Sequence, residues 1–343
     1  MAVFPVENLA SDGAPEPGLE AEVARAAAKA GLDVVTGEPV ERFLAAGRIR
    51  YTGGLSRDVA RAAREQLGVD AVLIATVEQG GPGDLRIAMT MRLVTTADPP
   101  DIVWMDGFAR TGDDAPGLLR LGVVTDPARL RREALDRLSR SLAAARRRAG
   151  PPGIRCAPDD TYAPKFSFRL PALDEPVAKT VVVVPFLNTS GRPNAGDIVR
   201  LEIMRQLAGV PGLRLVDPGE IREALLEYRI ILRGGVSLVS AETMLDSLRA
   251  DWVVSGEVRR FDETVAAAEF NVHILDRSGE DLAWLSRSYN DGHDGVWVFN
   301  VGAVSTTAAL VCRMSSEIVE RALRPRSVQR RAEARARPRP ARR

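Results

Sequence analysis

Apolar side chains along this chain change period several times, and each change marks a predicted element. Leu19, Val23, Ala26, Ala27 and Ala30 recur at helical spacing, so a helix runs from about Leu19 to Ala30, and a second such pattern covers Asp197 to Ala208. Val181-Val182-Val183-Val184-Pro185-Phe186-Leu187-Asn188 is a continuous β-branched run bounded by Pro and Asn, as a buried strand would be, and Val3 to Asn8 is a shorter version of it. Short strands follow at Leu32–Thr36 and Leu213–Val216. A helix starts after Thr36, and another after Asp217-Pro218-Gly219-Glu220, where an Asp cap, Pro at the first helical position and Glu three after the cap coincide. Ser56 and Ser237 each lead into a further helix, ending near Leu67 and Leu248. Val69–Val77 and Ala250–Val258 then read as buried strands. Leu85–Thr95, Ile102–Arg110 and Asp281–Ser288 follow as strands, with turns at Gly80–Asp84, Thr96–Pro100 and Asp276–Gly279. Amphipathic helices close each series, one from Asp126-Pro127 to about Ala145, the other over roughly Val301–Leu323.

The series occurs twice. Residues 31–77 lie on residues 212–258 at a constant offset of 181 without a gap, and 14 of 47 positions are identical. Gly31-Leu32 matches Gly212-Leu213, and Gly53-Gly54-x-Ser56 matches Gly234-Gly235-x-Ser237. Leu67, Asp70, Val72 and Val77 return as Leu248, Asp251, Val253 and Val258. Such a period predicts an α/β fold of two tandem βαβααβββα repeats, each a mixed sheet flanked by helices. The repeats occupy residues 1–145 and 179–323. Between them, residues 146–178 hold six prolines and no sustained period, a semi-stiff linker in which Phe166, Phe168 and Leu170 alternate as a short edge strand would. The second repeat has residues ahead of its first strand while the first begins almost inside it, which gives the expectation that the natural product starts upstream of Met1.

Averaged charge hides a division. Residues 324–343 hold nine Arg and one Glu, so residues 1–323 carry 38 basic and 45 acidic side chains, a formal −7. The tail is low in complexity and expected to be disordered. A composition that is 45% hydrophobic and 27% charged is that of a globular protein, and no run approaches the roughly 18 uncharged apolar residues of a membrane span. Cys156 and Cys312 fall in the linker and a helix, outside any metal-spaced or redox motif, and read as structural thiols.

The order Pro-Phe-x-Asn, helix, Gly-Leu-x-Val-Val, then a Gly-Gly/Ser-led helix finishing Leu-x-x-Asp-x-Val-Val-x-Gly-x-Val resembles the TolB N-terminal-domain-like family. That group includes curli-secretion (CsgG-type) and penicillin-binding-protein activator (LpoB-type) lipoproteins. Val183–Asn188 and Leu248–Val258 carry the nearer match; the first repeat departs by placing Ala75 where the second has Gly256. The resemblance implies a mixed sheet with helices packed on it, and binding or assembly work in the bacterial envelope without catalysis. Export would require an upstream start; with Met1 as the native start the protein would be cytoplasmic.

Candidate chemistry is sparse. The diglycines lack the Lys and longer Gly pattern of a phosphate loop, so Gly53, Gly54, Ser56, Gly234, Gly235 and Ser237 read as a turn and helix cap. Asp70 and Asp251, each between a helix and a strand, read as carboxylates fixing the connection through backbone hydrogen bonds. His293 sits in Asp291-Gly292-His293-Asp294, a solvated turn with weak cation binding as its alternative. Trp104, Trp284 and Trp297 are either core aromatics or a surface for a protein partner. No catalytic group, cofactor or metal is expected. The leading expectation is a non-enzymatic protein-binding or scaffold component. Its alternative is a cytoplasmic sensor or regulatory module whose tail, Arg324 to Arg343, contacts anionic lipid or nucleic acid.

Overall fold

The structure, a computed structural model, describes residues 1–10, 17–81, 83–114, 122–147, 153–174, 178–230, 235–277, 281–296 and 302–324. Among them are eight helices and two mixed sheets, an α/β fold with two sheet-containing halves. In the first half, β1 (Ala2–Val3) and β2 (Glu7–Asn8) run parallel to β3 (Ala71–Gln79), and β4 (Arg86–Thr95) and β5 (Ile102–Thr111) extend the sheet antiparallel. Its helices are α1 (Leu19–Lys29), α2 (Glu38–Ala46), α3 (Arg57–Leu67) and α4 (Pro127–Ala145). The second half holds β6 (Phe166–Arg169), β7 (Lys179–Val183), β8 (Leu187–Asn188), α5 (Ala195–Ala208), β9 (Leu213–Leu215), α6 (Pro218–Glu227) and α7 (Leu238–Ser247). It continues with β10 (Trp252–Asp262), β11 (Ala267–Asp276), β12 (Asp281–Asp291) and α8 (Thr307–Leu323), in the sheet order β6-β12-β11-β10-β7-β9.

The two sheets share a register residue for residue. Ala71 pairs with Thr95 as Trp252 pairs with Asp276, and a bulge interrupts the ladder just after Val77 as it does just after Val258. Trp104 opposes Leu93 as Trp284 opposes Ile274, each beside a second bulge. Because bulges re-aim the strand, matched bulges keep the outward and inward residues of the two sheets in correspondence. One departure in sequence has a visible cause: a Cβ at Gly256 would run into the Phe186 ring, whereas Ala75 in the first half belongs to a core cluster against which the smaller Val6 packs.

Local expectations differ from the structure in a few places. Leu32–Thr36 contributes only a single bridge, Val35 to Ala2, because the neighbouring β1 offers two residues to pair with. The last helix begins at Thr307 rather than near Val301, since the Thr306 hydroxyl caps it by accepting from Ala309 N at 3.2 Å. The described part of the stretch read as a linker packs on both halves: Gly153 bridges to Met105 of the first, and Phe166–Arg169 joins β12 as the edge strand of the second sheet. Cys156 and Cys312 are not free thiols. They form a disulfide with Cα atoms 6.0 Å apart, because the chain between the halves is laid across α8. Residues 325–343, expected as a disordered tail, lie outside the described residues, as do Gly234 and Trp297.

Packing makes the halves interdependent. Helices α1 and α4 cover one face of the first sheet, with Leu19, Val23 and Leu138 against Leu73, Met89 and Trp104. Its other face shares a core with α2, α3 and the second half, where Ile74 and Met105 belong to one cluster with Leu201 and Met204 of α5. Helix α5 is therefore sandwiched between the sheets, and 13 of its 14 residues are buried. Helices α6 and α7 cover the β7–β10 end of the second sheet. The same face of β6, β11 and β12 stays open, with Phe166, Phe168, Arg287 and Tyr289 exposed.

Candidate functional site

A cleft of about 410 Å³ lies where the halves meet, between Glu7 and Tyr51 of the first half and Phe186, Asp197, Arg200 and Arg222 of the second. The first diglycine lies behind it, in contact with the lining residues Glu7 and Tyr51. A Cβ at Gly53 would collide with the Glu7 carboxylate, and one at Gly54 with the backbone of Gly219. At Gly54 the absent Cβ lets the two halves approach backbone to backbone, and at Gly53 it makes room for the Glu7 side chain within the first half. The Gly53 carbonyl accepts from Tyr51 Oη at 2.9 Å and from Arg92 Nη2. Arg92 Nε then reaches Asp217 Oδ2 at 3.2 Å, an ion pair whose partners are 1% and 0% exposed. Asp217 also caps α6 through Gly219 N at 2.8 Å and receives Leu55 N at 2.5 Å. One carboxylate thus starts a helix of the second half and ties down the loop ahead of α3 in the first.

Titration in the cleft follows burial. Desolvation holds the Glu7 carboxyl above its ordinary range against the pull of Arg92 and Arg200, and Thr76 Oγ1 donates to it at 3.0 Å. Burial, reinforced by Glu7, pushes Tyr51 up to about 12, so its phenol stays a hydrogen-bond donor at neutral pH. Arg222 stacks on the Tyr51 ring at 4.8 Å, and Arg200 pairs with Asp197 at 3.0 Å. The described lining contains no Ser, Cys or His.

A second buried cluster lies deeper in the same interface. Arg205 of α5 bonds Glu202 at 2.5 and 3.1 Å, lies 3.8 Å from Asp106 of β5, and donates to the Cys312 sulfur. Burial and the nearby Glu202 push the Glu78 carboxyl up to about 8, while Thr90 donates to it. Arg192 bridges the halves, donating to the carbonyls of Leu9 at 2.6 Å and Glu78 at 2.7 Å while pairing with Glu263 at 2.8 Å. These groups neutralise one another, an arrangement that fixes orientation between the halves.

The residues singled out in the sequence are placed as follows. Ser56 and Ser237 cap α3 and α7, their hydroxyls accepting from Val59 N at 3.5 Å and Ser240 N at 3.2 Å. Gly235, at φ 108°, packs against the Phe186 carbonyl in the cleft wall. Asp251 accepts from Thr180 N at 2.7 Å and so pins β7 to the start of β10, whereas Asp70 is exposed. Trp104 and Trp284 are each 1% exposed, which corrects their reading as a partner surface: their rings fill the space beneath the helices that cover each sheet. In the His293 turn the carboxylates are engaged locally, Asp291 by His293 N at 2.8 Å and Asp294 by Asn290 Nδ2 at 2.7 Å. Among the described residues no cluster of His, Cys, Asp and Glu could hold a metal, and no helix is long and apolar enough to cross a membrane. Sequence reading missed Arg92, Arg200, Glu202 and Arg205. The available signal was charge on every face of the helix at 195–208 and an Arg inside a strand otherwise buried along its length.

No family model matches the chain, and no curated protein sequence does either. Among solved structures, the chain is similar to a PelC dodecamer from Paraburkholderia phytofirmans at 19% identity, covering 45% of this chain and 94% of that one with a TM-score of 0.28. It is similar to lipoprotein GNA1162 from Neisseria meningitidis at 20% identity, covering 41% and 96% with a TM-score of 0.30. The LpoB C-terminal domain from Salmonella enterica aligns at 13% identity over 34% and 84%, with a TM-score of 0.28.

Proposed function

We propose that this chain is a non-enzymatic binding or scaffold protein, made of two tandem copies of a TolB-N-like α/β domain at 1–145 and 179–323, that recognises another protein in the bacterial cell envelope. The observation that carries the compartment is the Cys156–Cys312 disulfide, buried against Arg205 and Gln206 and joining residues 156 apart. Bonds of this kind persist in oxidising compartments and are rare where thiols are kept reduced. Support for duplication comes from the 14 identities at offset 181 together with the shared ladder and bulges. The absence of enzymatic work is supported by the described inter-half charges being used on one another.

The test is to trap thiols in intact cells with an alkylating agent, fractionate, and weigh the protein under non-reducing conditions. Two unmodified cysteines, joined, in the envelope fraction are the expected result. Two alkylated cysteines in the cytosol would sink the envelope reading.

A further inference from the structure

Helices α1 and α4 leave an open groove of about 370 Å³ on the outer surface of the first half, with Arg25, Ala26, Lys29, Arg132, Leu135 and Asp136 along its walls. The second half carries its counterpart 180 residues on. Helix α4 starts after the cap Asp126 and α8 after the cap Thr306, and each is led in by the same backbone bond, Val124 N to Gly112 O at 2.7 Å and Val304 N to Gly292 O at 2.8 Å. That counterpart groove, between α5 and α8, is filled.

Its occupant is the chain's own segment 153–156, bridged in parallel to Met105 and bonded to both helices. Gly153 N donates to Ala208 O at 3.0 Å, Cys156 N to Gln206 Oε1 at 3.0 Å, and Ser316 Oγ to Cys156 O at 2.8 Å. Arg155 pairs with Glu320 at 3.3 Å. Gln206, Cys312 and Ser316 stand where the open groove has Ala26, Arg132 and Asp136. The molecule therefore shows what this pair of helices accepts: a short strand-like peptide lying across them.

Charge specifies the missing occupant. Glu320, which receives Arg155 in the filled groove, corresponds at the same offset of 180 to Arg140, one helical turn beyond the groove-lining Asp136. Arg25 and Arg140 are exposed and have no carboxylate partner among the described residues. The groove's own acids are taken, Glu22 by Arg131 at 2.9 Å and Asp136 by Lys29 at 2.8 Å. Lys29 replaces Gly209, where a Cβ would run into Arg155 Cγ. An occupant of the open groove therefore lies farther out than residues 153–156 do and displaces the exposed Lys29–Asp136 pair, which resists little and leaves another cation to contact. The chain's own Arg-rich residues 324–343 have the wrong sign.

We propose that the α1–α4 groove binds an extended acidic peptide segment of a partner protein, with a carboxylate opposite Arg140, as the α5–α8 groove binds residues 153–156. This rests on the protein-binding reading above and names the partner's chemistry.

The test titrates the full chain with two labelled peptides copying residues 151–158, both carrying Cys156→Ser, one keeping Arg155 and one with Arg155→Glu, read by fluorescence anisotropy. The acidic peptide should bind at least about tenfold more tightly, and Arg140→Glu should reverse the preference. Arg140 is exposed, so the variant keeps its fold, checked by circular dichroism. No binding of the acidic peptide at about 1 mM, equal binding of both peptides, or an unchanged preference in Arg140→Glu would overturn the proposal. So would an Arg140-dependent self-association, or Arg140-dependent capture of phosphatidylglycerol vesicles without peptide binding. None of these outcomes touches the disulfide or fractionation result, so the two readings fail separately.

Discussion

On the face of the first sheet that meets α5, Arg92, Gly107 and Ala109 occupy the register positions that His273, Arg287 and Tyr289 hold on the second sheet. The backbones correspond, yet one face is a buried interface and the other is open. Gly107 lets the Arg205 guanidinium settle onto the strand, since a Cβ there would stand 2.9 Å from its Cζ. At the matching place Arg287 stands out from the sheet and bonds Glu269 at 2.6 Å. Side-chain size at two or three positions thus decides whether a sheet of this shape accepts another unit. On the second face Arg287 and Tyr289 stand exposed where the matching positions of the first face are in the packing that joins the two halves.

Breaking the ion pair at the heart of the buried face should have the largest effect. Asp217→Ala leaves Arg92 uncompensated and Leu55 N and Gly219 N without their acceptor, a loss of about 4 kcal/mol. Urea denaturation would show it as a lower midpoint, with both halves unfolding together. Transplanting the open face's residue, Gly107→Arg, should cost about 3 kcal/mol by overpacking against Arg205. If its midpoint matched that of the unmodified chain, size at this position would not be what separates the faces.

The buried carboxylates give a smaller, pH-dependent contrast. Glu78 titrates at about 8 in the fold against an ordinary 4.5, so between these values the native state holds a proton that the unfolded chain releases. Stability contributed by protonated Glu78 is complete below about pH 4.5 and lost as pH rises through about 8. Glu78→Gln should flatten that decline and gain on the order of 2 kcal/mol at pH 8, measured by thermal unfolding across the range. The smallest effect is expected for the reverse transplant: Arg287→Gly removes an exposed partner of Glu269 and adds the backbone freedom of a glycine within β12, and should cost about 1 kcal/mol.

Much of the fold was legible because its determinants are local. The cap Asp217, the prolines at Pro127 and Pro218 and the left-handed Gly31 and Gly212, at φ 84° and 86°, place their elements within a few residues of the sequence reading. The strand from Val69 was found because burial on both faces leaves a nearly continuous apolar run. The site was far less legible. Arg92 and Asp217 lie 125 residues apart and Cys156 and Cys312 lie 156 apart, and nothing in either neighbourhood names its partner. The tryptophans stayed open between two readings for a related reason: an aromatic on a strand serves a core or a surface equally well until a helix is seen to cover it.

By itself, the sequence determined the α/β class, the element order and the recurrence of one pattern at an offset of 181, because periodicity, caps and glycine turns act over a few residues. Only the tertiary structure decided that α5 is shared between two sheets, that the diglycine is a contact with Glu7 and Gly219, and that one groove is filled while its counterpart is open. Those outcomes depend on which distant side chains arrive at the same place and on whether their sizes and charges allow it, and no local pattern carries that information.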